Sequence, residues 1–439
     1  MANKKSDYCL VLGGGGAKGV FHIGAWRALQ ELGIPINAFI GNSIGAIVAG
    51  FLAQGAGQKL EEISTQVGLD FVLNIPEEFL ESGLLKLNPA KITHLKKMYR
   101  TTIDKGGLDT TPLRRLLNAS LDEDLIRKSG NDLGIVTYSV SDVKPKEIFV
   151  EDMEKGHLID YLMASSAVPG FEKPEIAGKK FIDGGVYDNI PYSMARRRGY
   201  RRIIVIDISG IGVTHKPDIE GGETIYIKNS INMGGILDFN RTFLEHYKEL
   251  GYLDTLRTFE KLKGYHYFLL PKARIENQFN DFILQEHNIE KLTEFVKKYF
   301  TKEDLTASLA LKQIFPESAQ FDKQWLVVFS DCAATILSID KIRKWEFKEL
   351  FSEIGKKFDE VYEKVDALSH RDSVHIEKII QSRLKGKHLT EAPYYYYLLI
   401  DRFIPAKAQK LLKKGLFALM PELPAGHFFL SELKEFWEK

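Results

Sequence analysis

The chain has 439 residues, 44% of them hydrophobic, and its 60 basic and 59 acidic side chains leave a formal net charge of +1. That balance excludes a global field for nucleic acid or an anionic membrane, so any lipid contact has to be local, and the length suits two or three domains. Two cysteines, Cys9 and Cys332, cannot form a disulfide framework and suit a reducing, cytoplasmic compartment; no run has the length of a membrane span or a signal-peptide core.

Tyr8-Cys9-Leu10-Val11-Leu12 is an apolar run of strand length that stops at Gly13-Gly14-Gly15-Gly16-Ala17-Lys18-Gly19. Phe21, Ala25, Ala28, Leu29 and Leu32 then recur at helical spacing up to Gly33. Strand, glycine loop, helix and a second strand make a βαβ start, which predicts a parallel sheet.

The glycine loop has three readings. Gly14, Gly16 and Gly19 fit a dinucleotide fingerprint, but the second strand ends in Gly41-Asn42-Ser43, where such a site places a ribose-binding acid. Gly19 after Lys18 breaks the Walker pattern. The third reading is an oxyanion hole: with no Cβ in the way, the N–H groups of Gly14, Gly15 and Gly16 can point into one site, and Lys18 adds positive charge nearby. A plain strand-to-helix turn needs fewer glycines.

The second strand supports the third reading. Phe39-Ile40 runs into Gly41-Asn42-Ser43-Ile44-Gly45, followed by small and apolar residues able to form a buried helix, which is the strand, turn and helix of a nucleophile elbow. Gly41 and Gly45 remove side chains where strand and helix close on each other, leaving Ser43 at the helix N-terminus among unpaired N–H groups.

Residues 58–105 read as irregular helix broken by Pro76, Gly83 and Pro89, a lid or substrate wall. Thr111-Pro112 opens a helix through Leu117, with Thr111 as cap; Leu133–Val140 and Lys146–Val150 read as strands. Asp183 ends an apolar run and precedes Gly184 and Gly185, which lets the backbone turn away and leaves the carboxylate facing a neighbouring loop; an ordinary Asp-Gly turn is the simpler reading. Asp207 ends the strand Ile203–Ile206 and is another candidate acid.

These residues resemble the patatin-like phospholipases of bacterial type. The likeness rests on Gly14-Gly15-Gly16-Ala17-Lys18-Gly19, the elbow Gly41-Asn42-Ser43-Ile44-Gly45, Ala164 to Pro169, Asp183-Gly184-Gly185, and Asn189 and Pro191. It covers residues 6–275 and implies a three-layer α/β/α domain with a mostly parallel central sheet. It also implies a Ser43–Asp183 dyad that cleaves phospholipid or other acyl-ester lipids through an acyl-enzyme, with neither cofactor nor metal. The competing reading is an α/β-hydrolase triad of Ser43, Asp183 or Asp207, and His215, His246 or His266. Against it, few strands precede the serine and none of these histidines lies in a glycine-rich loop; His22, close behind the glycine loop, is the least settled of the remaining histidines.

Residues 276–439 read as a helical region, regulatory or lipid-contacting. Phe347, Phe351, Ile354, Phe358, Val361, Val365 and Leu368 form a heptad seam that either packs within the chain or joins a second copy. Tyr394–Ile400 and Lys407–Phe417 combine aromatic, basic and apolar residues in a way that suits peripheral contact with a membrane, or burial.

Overall fold

The computed structural model describes residues 7–66, 68–74, 80–81, 84–85, 107–215, 220–236, 238–300, 324–368 and 373–438. They fall into two compact units, Met1–Phe259 and Glu260–Lys439.

The first unit is built on an eight-stranded sheet. Its strands are β1 (Tyr8–Leu12) and β2 (Ile36–Asn42), then, after a separate hairpin of β3 (Leu80–Glu81) and β4 (Leu84–Leu85), β5 (Asp132–Ser139), β6 (Lys144–Phe149), β7 (Glu175–Ile176), β8 (Lys179–Asp183), β9 (Arg202–Asp207) and β10 (Glu223–Lys228). The order is β10-β9-β1-β2-β5-β8-β7, with β6 also on β5. From β10 to β5 all neighbours are parallel, as the βαβ start predicts; β6, β7 and β8 are added antiparallel.

Both faces of the sheet are covered, which is why its central strands read as unbroken apolar runs rather than alternating ones. Cys9, Val11, Ala38, Ile40 and Val205 pack with Tyr192, Met194 and Tyr200 on one face. Toward the other lies α1 (Val20–Glu31), whose Trp26 meets Phe39 of β2 edge-on at 5.7 Å. α1 in turn crosses the helix Arg241–Thr258 at two glycines: a Cβ on Gly24 would sit 1.7 Å from the Lys248 carbonyl oxygen, and one on Gly251 2.1 Å from that of Phe21.

The register of β5 places the site. β2 pairs with β5 as far as Asn42 opposite Val136, and β8 takes over the same edge with Asp183 opposite Thr137, while β6 occupies the other edge throughout. The end of β8 therefore abuts the end of β2, and Asp183 arrives beside the residue that follows Asn42.

Of the segment 58–105, α3 (Gly57–Ser64), the turn Leu69–Phe71 and the strands β3 and β4 are described, and residues 67, 75–79, 82–83 and 86–105 lie outside the described residues. The helix Thr111–Ser120 forms as its Pro112 predicts, with Thr110 rather than Thr111 in the cap position.

The second unit is helical, and its division from the first falls after Phe259 rather than at residue 275. The reason is a pairing: Phe268–Leu269 forms a parallel bridge with Lys344–Trp345, which ties residues 260–275 to the helices that follow. The heptad seam on the helix Phe347–Asp366 is covered by its own unit. Phe347, Ile354 and Val365 are at most 2% exposed in a core with Phe279, Phe329 and Phe429, so no open seam remains for a second copy. The tyrosine run is also interior: Tyr394, Tyr396 and Tyr397 are buried in that core together with Leu412 and Leu416, which removes them from any lipid-facing surface. A stripe of aromatic residues gives the face a helix buries without saying what covers it.

Candidate active site

β2 ends at Asn42, and the chain reverses at Ser43 into α2 (Ile44–Ala53). Ser43 has φ 55° and ψ −129°, a conformation that costs a non-glycine residue on the order of 1–3 kcal/mol and persists only where the surroundings enforce it. The surroundings here are two glycine contacts. A Cβ on Gly41 would lie 2.3 Å from the Gly45 carbonyl, and one on Gly45 would lie 2.2 Å from the Leu12 carbonyl oxygen, so strand and helix close to a distance that only glycine permits. The Ser43 N–H donates to Ser165 Oγ at 2.9 Å, which fixes the turn from the outside.

Asp183 lies against this turn. Its Oδ1 accepts from the Gly185 N–H at 2.7 Å and from Asn42 Nδ2 at 3.1 Å, and the Ser43 side chain is close enough to favour its charged form. Burial, at 6% exposure, pushes its pKa above the ordinary 3.8, while the Gly185 N–H, the Ser43 side chain and the Asn42 amide pull the other way. Gly184 is needed for the fit, since a Cβ there would lie 2.4 Å from Asn42 Oδ1. Asn42 Nδ2 also donates to Asn189 Oδ1 at 3.2 Å, and Asn189 Nδ2 donates to the Gly14 carbonyl at 3.3 Å. Two asparagines thus link the acid, the elbow and the glycine loop. Asn42 and Asn189 belong to the sequence motifs, but this linking role is not legible there; the one signal for Asn42 is its place directly before the serine.

The glycine loop divides its N–H groups. Gly13 donates to the Ile206 carbonyl at 3.1 Å, Gly14 to that of Asn189 at 3.1 Å and Ala17 to that of Ile236 at 2.8 Å. The N–H groups of Gly15 and Gly16 have no acceptor among the described residues. The expected three-glycine donor set therefore narrows to two, because the Gly14 N–H is already committed. Gly19 packs on the elbow helix, where a Cβ would meet Ile44 Cγ1 at 2.2 Å, and buried Lys18 Nζ donates to the Ser209 carbonyl at 2.9 Å, tying the loop to the end of β9. His22 braces the loop from beneath: fully buried, its Nε2–H donates to the Gly13 carbonyl at 2.9 Å, and burial lowers its pKa to about 4, so the ring is neutral.

The residues of the alternative triad are engaged elsewhere. Asp207 accepts from the Ser209 N–H at 2.7 Å and the Tyr226 hydroxyl at 2.8 Å. His215 stands 3.6 Å from Asp188, His246 lies on the helix Arg241–Thr258, and His266 pairs with Glu422 at 2.8 Å in the second unit. Among the described residues no imidazole hydrogen-bonds Ser43 or Asp183.

Ser43, Asp183, Gly15 and Gly16 all line one cavity of about 560 Å³ whose remaining walls are overwhelmingly aliphatic and aromatic. At its rim Val186, Ile211 and Val213 are 43%, 79% and 47% exposed, an apolar lip around an apolar interior.

An α/β unit with a strained serine elbow beside a buried carboxylate defines the general class. Residues 10–196 match the patatin-like phospholipase family, so the chain carries a domain of that family. Lysophospholipase NTE1 of Cryptococcus neoformans var. neoformans serotype D is 28% identical over 288 residues, spanning 61% of this chain and 15% of that protein. Patatin-like phospholipase domain-containing protein ZK370.4 of Caenorhabditis elegans is 27% identical over 274 residues, spanning 61% of this chain and 18% of that protein. Patatin-like phospholipase domain-containing protein 6 of Homo sapiens is 27% identical over 202 residues, spanning 45% and 13%. This chain thus spans under a fifth of the length of these curated relatives. The crystal structure of VipD from Legionella pneumophila aligns with 98% of this chain and 91% of that one, at a TM-score of 0.38 and 14% identity.

Proposed function

We propose that the chain is a serine lipid acyl hydrolase, a phospholipase A or lysophospholipase that works through a Ser43–Asp183 dyad. The observation that carries this is that Ser43, held at a strained turn, and the buried Asp183 carboxylate stand side by side at the wall of one apolar cavity. Asp183 takes the Ser43 proton as Oγ attacks the ester carbonyl carbon, and the carbonyl oxygen becomes an oxyanion held by the N–H groups of Gly15 and Gly16. Collapse breaks the ester C–O bond; the leaving alcohol collects the proton from Asp183, and the acyl group stays on Ser43. A water then gives its proton to Asp183 and attacks the acyl carbon, and the proton returns to Ser43 Oγ as the fatty acid departs. Desolvation makes the carboxylate a stronger base than an exposed one, which suits a dyad without histidine. The supporting relatives named lysophospholipases favour a glycerophospholipid substrate.

Among the described residues no helix is long and apolar enough to cross a membrane. In this reading the protein meets lipid peripherally, from the cytoplasm, and the exposed rim of Val186, Ile211 and Val213 is where it does so.

A fluorophosphonate probe with intact-mass detection, run beside release of fatty acid from phosphatidylcholine and lysophosphatidylcholine vesicles, tests the proposal. One label on wild type, none on Ser43→Ala, and fatty-acid release lost with the label are expected. A folded wild type that neither labels nor hydrolyses overturns it.

A further inference from the structure

The apolar arm of the cavity runs along the very helix that the serine begins. Ile44, Ile47, Val48 and Phe51 line it at one, four, five and eight residues beyond Ser43, which is one face of α2. Leu60 of α3 and Leu117 of the helix Thr111–Ser120 face them across the space. The polar residue of this arm, Ser64, is spent locally, its hydroxyl donating to the Glu61 carbonyl at 2.6 Å, so the arm presents nothing that a water or headgroup would prefer. At the far end Phe51, Leu60 and Leu117 are 1%, 7% and 0% exposed, which closes the arm toward the protein interior.

We propose that α2 is an acyl-chain ruler: the chain esterified to Ser43 lies along its apolar face, and Ile47 and Phe51 mark successive carbon positions, with Phe51 the stop. The inference rests on the acyl-enzyme reading above and adds which residues set chain-length preference. The geometry gives the scale. At 1.5 Å rise per residue Ile47 stands about 6 Å and Phe51 about 12 Å along the axis from Ser43. An extended chain advances roughly 1.2 Å per bond, so these side chains flank the fifth and tenth carbons, to within about two. Binding is apolar contact alone, so each methylene within the arm adds affinity and one pressed beyond Phe51 clashes.

The test is kcat/KM for the p-nitrophenyl butyrate, octanoate and laurate esters, on the full chain and three variants. Ile47→Trp narrows the arm early and is expected to lower both the octanoate-to-butyrate and the laurate-to-butyrate ratios by about tenfold. Phe51→Trp narrows it late and is expected to lower only the laurate ratio. Phe51→Leu makes room instead of removing it, so it guards against a tryptophan that fails to fold, and is expected to raise the laurate ratio several-fold. Cut-offs that follow the order of the helix sustain the ruler. Ratios that do not move in folded variants, or that move together for Ile47 and Phe51, overturn it while leaving the hydrolase reading in place. A wild type that hydrolyses no ester and stays unlabelled by fluorophosphonate removes both.

Discussion

Asp183 in the first unit and Asp331 in the second are both buried, and the two behave differently. Asp331, in the middle of the apolar helix Trp325–Ile336 of the second unit, accepts three backbone N–H groups on a single oxygen, from Tyr265 at 2.7 Å, His266 at 2.9 Å and Tyr267 at 3.0 Å. Asp183 accepts one backbone N–H and one asparagine amide, lies beside the serine, and faces a cavity. Burial raises the pKa of both. Desolvation is therefore common to both carboxylates; what separates them is that the partners of Asp331 are fixed backbone, whereas Asp183 stands beside a group that can give up a proton.

Four measurements press on that difference. Asp183→Asn keeps an acceptor for the Gly185 N–H and removes the base, so hydrolysis should fall by about 10³ to 10⁴, within the range for a lost general base. The same variant should be more stable than wild type at neutral pH. A carboxyl whose folded pKa is raised loses its contribution as pH rises through that pKa, and asparagine does not titrate; the gain in Tm should shrink as the buffer is acidified. A variant both inactive and less stable would place Asp183 with Asp331 among structural carboxylates. Asp331→Ala strands three N–H donors and should cost about 3 kcal/mol or more in chemical denaturation.

The third measurement is acid titration of stability. The folded pKa of His22 is lowered from 6.5 to about 4, so its contribution is complete above pH 6.5 and is lost as pH falls toward 4, by about 3 kcal/mol at the end of that window. His22→Gln, which cannot charge, should flatten this part of the profile. The smallest effect is expected from Ser165→Ala, which leaves the Ser43 N–H without its acceptor and should cost about 1–2 kcal/mol; a calorimetric scan reads it, and a slower fluorophosphonate reaction should accompany it if that bond steadies the elbow.

Much of the first unit is legible from residues alone, for a physical reason. Tyr8–Leu12, Phe39-Ile40 and Ile203–Ile206 are strands buried on both faces, and glycines or Asp207 end them abruptly, so both type and boundary are written locally. Gly41 and Gly45 announce the elbow because their own backbone contacts admit no Cβ. The nearness of Asp183 to Ser43 is not written locally. It arises because β8 continues the edge of β5 that β2 vacates, a register between segments some 140 positions apart. For the same reason the commitment of the Gly14 N–H to Asn189 stays hidden. In the second unit the heptad stripe is plain, and its cover is not: periodicity names a buried face and is silent about the neighbour.

The crossing of α1 with Arg241–Thr258 bears on how the protein can be dissected. The family match stops at residue 196, yet the two glycines of that crossing are 24 and 251, and the Ala17 N–H is held by Ile236. A fragment trimmed to the matched segment would strip one flank from the helix behind the glycine loop and release the loop itself. A fragment meant for expression or for grafting onto another chain therefore needs the whole of the first unit through Phe259, because the matched segment ends before the helix that completes its packing.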